Sequence, residues 1–293
     1  MYLYNSKELI ERRYQMPKLF PNNKGINVNA CRSTPFHAIV INAVPDLHIV
    51  NPDGQCFPLY RYENGRRVEN VTDWALSEFR RHYGDLRITK EDIFHYVYAV
   101  LHDPVYREKY ALDLKQEYPR IPFHERFTDW ANMGKELMEL HIGFENAPEY
   151  PGIVFHEADG LKSGKTHRAE YTKKPDGTRE FSGTVTFCDG SRLTGIPPVA
   201  FEYRLGNKSA IEWILDRYAA PSYATDEEVK KGRKLREDER VLRDNFSAFR
   251  FSDYRSAVVS LIRKVTTVSI RTVEIQERLR SSSPTERVNT AHV

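Results

Sequence analysis

Cysteine is scarce in this chain: Cys31, Cys56 and Cys188 are its only three, far apart in sequence, with no CxxC pair and no Cys/His cluster. That spacing argues against a disulfide framework and a structural zinc site, and it fits a reducing compartment. Long apolar runs are lacking too. No stretch approaches the roughly twenty apolar residues that a bilayer span needs. The start, MYLYNSKELI, has no basic region leading into an apolar core, so neither secretion nor membrane insertion is expected and a cytoplasmic location is. There is no GxxxxGK[ST] phosphate loop, and the ten histidines show no HExxH-type spacing, so no metal site is expected. No nucleophile, base and orienting group assemble at a usable spacing, which leaves no catalytic residue to name.

What the chain does have is core material. At 293 residues, 40% apolar and 12% aromatic, it can bury a substantial interior in one composite domain or two intimate ones. The net charge of +3 hides an uneven distribution. Residues 71–160 hold 10 Lys/Arg against 17 Asp/Glu, whereas residues 1–70 hold 9 against 6 and residues 161–192 hold 7 against 4. An acidic block is poorly suited to lie against a polyanion, and the basic segments flanking it are better suited.

Periodicity predicts an α+β fold, with two strand-rich lobes around a helical core, closed by a long C-terminal helix. Residues 1–70 read as strands, with apolar runs Ala38 to Ile41 and Leu47 to Val50, a turn at Asn51-Pro-Asp-Gly, and FPLY ending the sheet. Residues 71–145 read as helices: one over about Asp73 to Tyr83 stopped by Gly84, a hairpin, and one over about Glu125 to Ile142. In the hairpin, Thr89 caps a helix with Asp92 in its first turn, and Ile93, Phe94, Val97, Val100 and Leu101 mark one buried face. Pro104 opens its second helix, with Tyr106, Tyr110 and Leu114 as its stripe and Pro119 as its stop. Residues 146–205 form a second strand-rich lobe, with Lys174-Pro-Asp-Gly turning between Arg168–Thr172 and Arg179–Phe187. In residues 206–280, Ser209 to Tyr218 makes a short helix and Ser252 or Asp253 starts a long one. The charge-dense stretch Asp226 to Asp244 reads as a solvated helix or linker, and residues 281–293 as a disordered tail. Trp74, Trp130 and Trp213 sit in amphipathic helices, where packing is the expected role.

The literal residue order is more specific than its periodicity. ITKEDIFHYVYAVLHDPVYREKYALDLKQEYPRIPF (Ile88 to Phe123) resembles part of the C-terminal specificity region of type ISP restriction-modification enzymes. The likeness includes YNSKELIERRYQMPKL (Tyr4 to Leu19), FPLYRY (Phe57 to Tyr62), VTDWALSEFRRHYGD (Val71 to Asp85), GIPPVAFEYRLGNKSAIEWILDRY (Gly195 to Tyr218) and VVSLIRKVTTVSIRTVEI (Val258 to Ile275). Several collinear blocks over most of the chain carry it, and residues 146–190 depart most from the pattern. The resemblance implies sequence-specific recognition of double-stranded DNA for an adenine-specific DNA methyltransferase of a restriction-modification or phage-defence system. It also implies methyltransferase, translocase and nuclease parts, upstream in cis or in trans. S-adenosylmethionine, ATP and magnesium would belong to those parts and not to this chain. An Asn/Asp-Pro-Pro-Tyr loop would hold a flipped adenine, but Pro197-Pro198 lies between Ile196 and Val199 and lacks both its polar and its aromatic member. A separate specificity subunit, a remnant of a split enzyme, and a protein-interaction scaffold are the alternative readings.

Sequence is read by forked donors at base edges, and phosphates are held by simple positive charge. The candidates are therefore basic residues near turns. Arg32 leads them: it lies in NACRSTPFHAIVINAVPDLHI, which resembles the family's stretch in which an arginine precedes a strand with a Phe, and a structural ion pair is its alternative reading. Arg61, Arg66 and Arg67 surround the Asn64-Gly65 turn, and Lys162, Lys165, Arg168, Lys173 and Lys174, with His167, load one side and the tip of the second lobe. Solvated surface is the alternative for each. Asn27 and Asn29 are of the type that reads adenine, with turn formation as the expected role of asparagines in a Gly-Ile-Asn-Val-Asn stretch.

Overall fold

The computed structural model describes residues 22–29, 34–43, 54–63, 66–158, 166–218 and 251–283. The fold is α+β, with antiparallel sheets and a long C-terminal helix. It divides into two units, Met1–Phe144 with Arg204–Asn207 and Arg271–Val293, and Glu145–Tyr203 with Lys208–Ile270.

In the first unit, β1 (Gly25–Asn29) is the middle strand of a three-stranded sheet, flanked by β2 (Ala38–Ile41) and β3 (Gly54–Pro58). All five β1 residues are buried, so Asn27 and Asn29 are strand residues and not turn formers. Asn29 is occupied locally: its Oδ1 accepts from His37 N at 2.8 Å and its Nδ2 donates to Thr34 Oγ1 and Pro35 O, both at 3.2 Å. The chain then forms a second hairpin, β4 (Tyr60–Glu63) with β5 (Arg66–Glu69).

Helix α1 (Asp73–Tyr83) has Thr72 as its cap, with Oγ1 accepting from Ala75 N at 3.2 Å, and ends at Gly84, whose φ of 66° is the left-handed conformation that favours glycine. Trp74 in this helix is 74% exposed, so the packing expected of it does not occur. Helix α2 (Lys90–His102) starts in a reciprocal capping box: Asp92 N donates to Thr89 Oγ1 at 3.1 Å and Thr89 N to Asp92 Oδ2 at 2.9 Å. Its buried residues run from Ile93 to His102 with only Val97 partly exposed, far wider than a single amphipathic stripe. Against it lies α4 (Phe127–Ile142), at a crossing so close that a Cβ on Gly134 would stand 1.8 Å from His95 O.

Between them, α3 (Pro104–Lys109) is capped by buried Asp103, which accepts from Val105 N at 3.0 Å and Tyr106 N at 3.1 Å. The expected continuation of this helix to Pro119 is not formed; only a short 3-10 turn, Asp113–Lys115, follows. The reason lies in where the chain must return. Tyr106 Oη donates to Arg120 O at 2.9 Å, whereas an unbroken helix would put residue 120 roughly 20 Å along the axis from residue 106. Tyr96 Oη likewise donates to Pro122 O and accepts from His124 N, both at 2.7 Å, so tyrosines pin the extended Arg120–Phe123 segment by its backbone. The Arg120 side chain itself is exposed and pairs with Glu117.

Several buried polar groups of this unit are paired through α2 and α4. Tyr98 Oη accepts from Val40 N at 3.0 Å and lies 2.7 Å from His141 Nδ1, and His141 Nε2 lies 2.9 Å from Thr272 Oγ1. Ser283 Oγ donates to Asp103 Oδ2 at 2.6 Å. The expected tail boundary at Ser281 therefore falls too early: Ser281 and Ser282 end a helix and Ser283 is buried.

The second unit is built on a four-stranded antiparallel sheet in the order β6 (Val154–His156), β9 (Arg192–Thr194), β8 (Arg179–Thr186) and β7 (Arg168–Lys173). Leu193 and Val185 are paired across strands and fully buried, and Phe181 stacks on Phe201 with centroids 3.6 Å apart. Helix α5 (Ala210–Arg217) opens with a capping box between Ser209 and Glu212. Of helix α6 (Phe251–Ser282), the stretch Phe251–Ile270 belongs to this unit and buries Phe251, Val258, Val259, Ile262, Val265 and Val268. Asp226 to Asp244, Leu47 to Val50 and the Asn51-Pro-Asp stretch lie outside the described residues.

Candidate nucleic-acid interface

Arg32, Lys162 and Lys165 lie outside the described residues. The other six predicted contacts fall on two hairpins, one in each unit.

In the first unit, the β4–β5 register pairs Tyr60 with Glu69, Arg61 with Val68 and Tyr62 with Arg67. Because side chains alternate along a strand, Arg61 and Arg66 share one face and Arg67 takes the other, so the three do not form a single clamp. The Arg67 guanidinium carbon sits 4.1 Å over the Tyr60 ring, a cation–π contact. Arg66 is exposed, with no ion pair among the described residues.

In the second unit, β7 and β8 form a two-stranded ribbon in which every residue from Tyr171 to Glu180 is exposed. Its turn is locally determined. Gly177 N donates to Lys174 O at 2.9 Å, Lys174 N donates to Thr178 O at 2.8 Å, and Gly177 takes a φ of 86°. Asp176 Oδ1 accepts from Thr178 N at 2.9 Å and Thr178 Oγ1 at 2.5 Å, bonds that hold its carboxyl below the usual carboxylate range. The ribbon's base is fixed as firmly. The Tyr171 ring meets Phe181 edge-on at 6.1 Å, and its hydroxyl donates to Glu212 Oε1 at 2.7 Å, the same carboxylate that caps α5.

This framework sorts the predicted residues. Lys174 pairs with Glu180 at 3.2 Å. Lys173 lies directly opposite Arg179 in the register, on the face that carries Tyr171 and Phe181, while Arg168, paired with Thr186, points to the other face. Among the described residues, Arg168 and Lys173 therefore do not share one side. His167 leaves the group altogether. It is buried, its Nδ1 accepts from Cys188 N at 3.0 Å, its Nε2 lies 2.8 Å from Tyr218 O, and burial lowers its pKa. Arg179 is not among the predicted contacts. Its signal was available in the turn: a three-residue Pro-Asp-Gly loop fixes residue 173 opposite residue 179.

Among the described residues, no group of three His, Cys, Asp or Glu side chains is placed to hold a metal ion, and no helix is long and apolar enough to cross a membrane.

A family model described as the Type ISP C-terminal specificity domain matches residues 1–245. Among solved structures, the cryoEM structure of a DrdV–DNA complex is similar at 39% identity and a TM-score of 0.77, over 97% of this chain and 27% of that one. A nuclease-deletion mutant of the Type ISP restriction-modification enzyme LlaGI, in complex with a DNA substrate mimic, is similar at 28% identity and a TM-score of 0.61, over 91% of this chain and 18% of that one. The ATP-dependent Type ISP enzyme LlaBIII bound to DNA, at 23% identity and a TM-score of 0.69 over 96% of this chain and 18% of that one, shows the fold alone. The chain thus spans 27% or less of the length of these three solved chains. No curated protein matches it.

Proposed function

The chain belongs to the family of Type ISP C-terminal specificity domains, and from that premise we propose that it recognises a site in duplex DNA and presents an adenine there to a methyltransferase. The observation that carries this reading is the β7–β8 ribbon, exposed from Tyr171 to Glu180 and carrying Lys173, Lys174 and Arg179. A two-stranded ribbon fits the major groove of B-form DNA, and lysines and arginines on it displace counterions from the phosphates. Two of the similar solved proteins are described as complexes with DNA or with a DNA substrate mimic, which supports the same reading.

Arg168, Lys173 and Lys174 are proposed as phosphate contacts, with Arg61, Arg66 and Arg67 as contacts of the first unit. Arg32, Lys162 and Lys165 remain proposed contacts on the strength of sequence alone. Methyl transfer, translocation and cleavage would belong to other parts of the enzyme, in cis or in trans, in the cytoplasm.

Titration of a long duplex at two ionic strengths tests the proposal. Affinity should fall steeply with salt, and replacing Arg168, Lys173 and Lys174 with alanine should reduce the slope of log K against log salt by about 0.9 for each phosphate contact removed. Equal affinity at both ionic strengths would refute it.

A further inference from the structure

Two like charges face each other on the β7–β8 ribbon, with no carboxylate paired to either among the described residues. Lys173 and Arg179 are register partners, both exposed, and neither has an ion pair among the described residues. Other cations of the same unit do have carboxylates: Lys174 has Glu180, Lys208 has Asp216, Arg255 has Asp189 and Glu157, and Arg263 has Glu149. Like charges directly opposite across a strand pair destabilise it. The arrangement suits an anion, or an electronegative base edge, that arrives from outside.

The ribbon's composition narrows what it can read. Adenine is read in the major groove by Asn or Gln, and cytosine by a carboxylate accepting from its amino group. The exposed stretch YTKKPDGTRE contains neither Asn nor Gln. Its two carboxylates are engaged, Asp176 with Thr178 and Glu180 with Lys174. The forked donor that remains is the Arg179 guanidinium, whose planar geometry matches the O6 and N7 acceptors of guanine; Lys173 is a flexible point charge suited to phosphate. A reader must also be held still. The Pro-Asp-Gly turn on one side and the Tyr171–Glu212 and Phe181–Phe201 contacts on the other fix the backbone that carries Arg179.

The geometry points to Arg179 as a specificity-determining residue that reads a guanine from the major groove, with Lys173 holding a neighbouring phosphate. This rests on the DNA-recognition reading above and adds to it the base and the residue.

The test is selection from a random duplex library by the full chain, by Arg179→Ala and by Lys173→Ala, followed by titration of the selected site with 7-deazaguanine at each guanine in turn. The wild type should select a motif containing a guanine whose 7-deaza replacement weakens binding about tenfold or more. Arg179→Ala should lose preference at that position alone and be insensitive to 7-deazaguanine there. Lys173→Ala should weaken selected and random duplexes by the same factor. Both variants should melt no lower than the wild type, since each relieves a like-charge pair. If the wild type selects a motif and Arg179→Ala selects the same one, this inference is overturned and DNA recognition stands. If the wild type binds no duplex at low salt, both fall.

Discussion

Gly134→Ala should separate the two helices on which the first unit depends. The added Cβ would lie 1.8 Å from His95 O, 2.6 Å from His95 C and 3.2 Å from Ala99 N, all backbone atoms of α2. No side chain can swing aside to make room. Reaching ordinary contact with His95 O requires α2 and α4 to part by roughly 1.5 Å, and a radial gap of even 0.5–1 Å forfeits about a quarter to a half of each dispersion contact. The side chains that would lose contact include fully buried Trp130, Leu137 and Met138 on α4 and Tyr98 and Ala99 on α2. Overpacking of this kind costs about 1–3 kcal/mol and occasionally more, and the upper end applies because the obstacle is backbone. Alanine's better helix propensity returns about 1 kcal/mol. A net loss of about 2 kcal/mol remains, which at roughly 2–4 °C per kcal/mol lowers the melting temperature by about 4–8 °C. Thermal melts by circular dichroism measure it, with exposed Asn132→Ala on the same helix as the control that gains propensity without a clash. If Gly134→Ala melts with the parent, the helix crossing is not as close as described.

Acid should destabilise the first unit well before its carboxylates titrate. Burial is the main cause that lowers His37 to about 4, His141 to about 3 and His102 well below 6.5, with the Arg107 charge adding to each. The unfolded chain binds these protons below pH 6.5 and the folded chain does not, so stability falls as pH drops from 6.5 towards 4, by about 1.4 kcal/mol per pH unit for each histidine. Urea midpoints at pH 7.5 and 5.5 check this, and equal midpoints would contradict it. The tryptophans should separate sharply: Trp130→Ala, at a fully buried site, should cost about 3–5 kcal/mol. Trp74→Ala, at a site 74% exposed, should stay within about 0.5 kcal/mol by chemical denaturation.

Local signals determined much of this protein. Thr89 with Asp92, Ser209 with Glu212, Gly84 after α1 and Pro-Asp-Gly before Arg179 each act within a few residues of themselves, and the structure forms the caps and turns they specify. The residue blocks that resemble type ISP specificity regions carried the family in the same way, because they are literal strings. Packing partners decided the rest. The helix expected to reach Pro119 breaks because Tyr106 must meet Arg120 O, a constraint between residues fourteen apart that periodicity does not express. Asn29 could be known as buried only once β2 and β3 flanked its strand, and Trp74 as exposed only once α1 had turned its other face inward. For the candidate interface, composition located the basic stretches, but strand pairing distributed them. It put Arg66 and Arg67 on opposite faces, buried His167, and set Arg179 against Lys173. Side-chain direction follows from backbone register, and register is fixed by which strands meet, so a residue's charge was legible in the sequence while the surface it serves was a property of the fold.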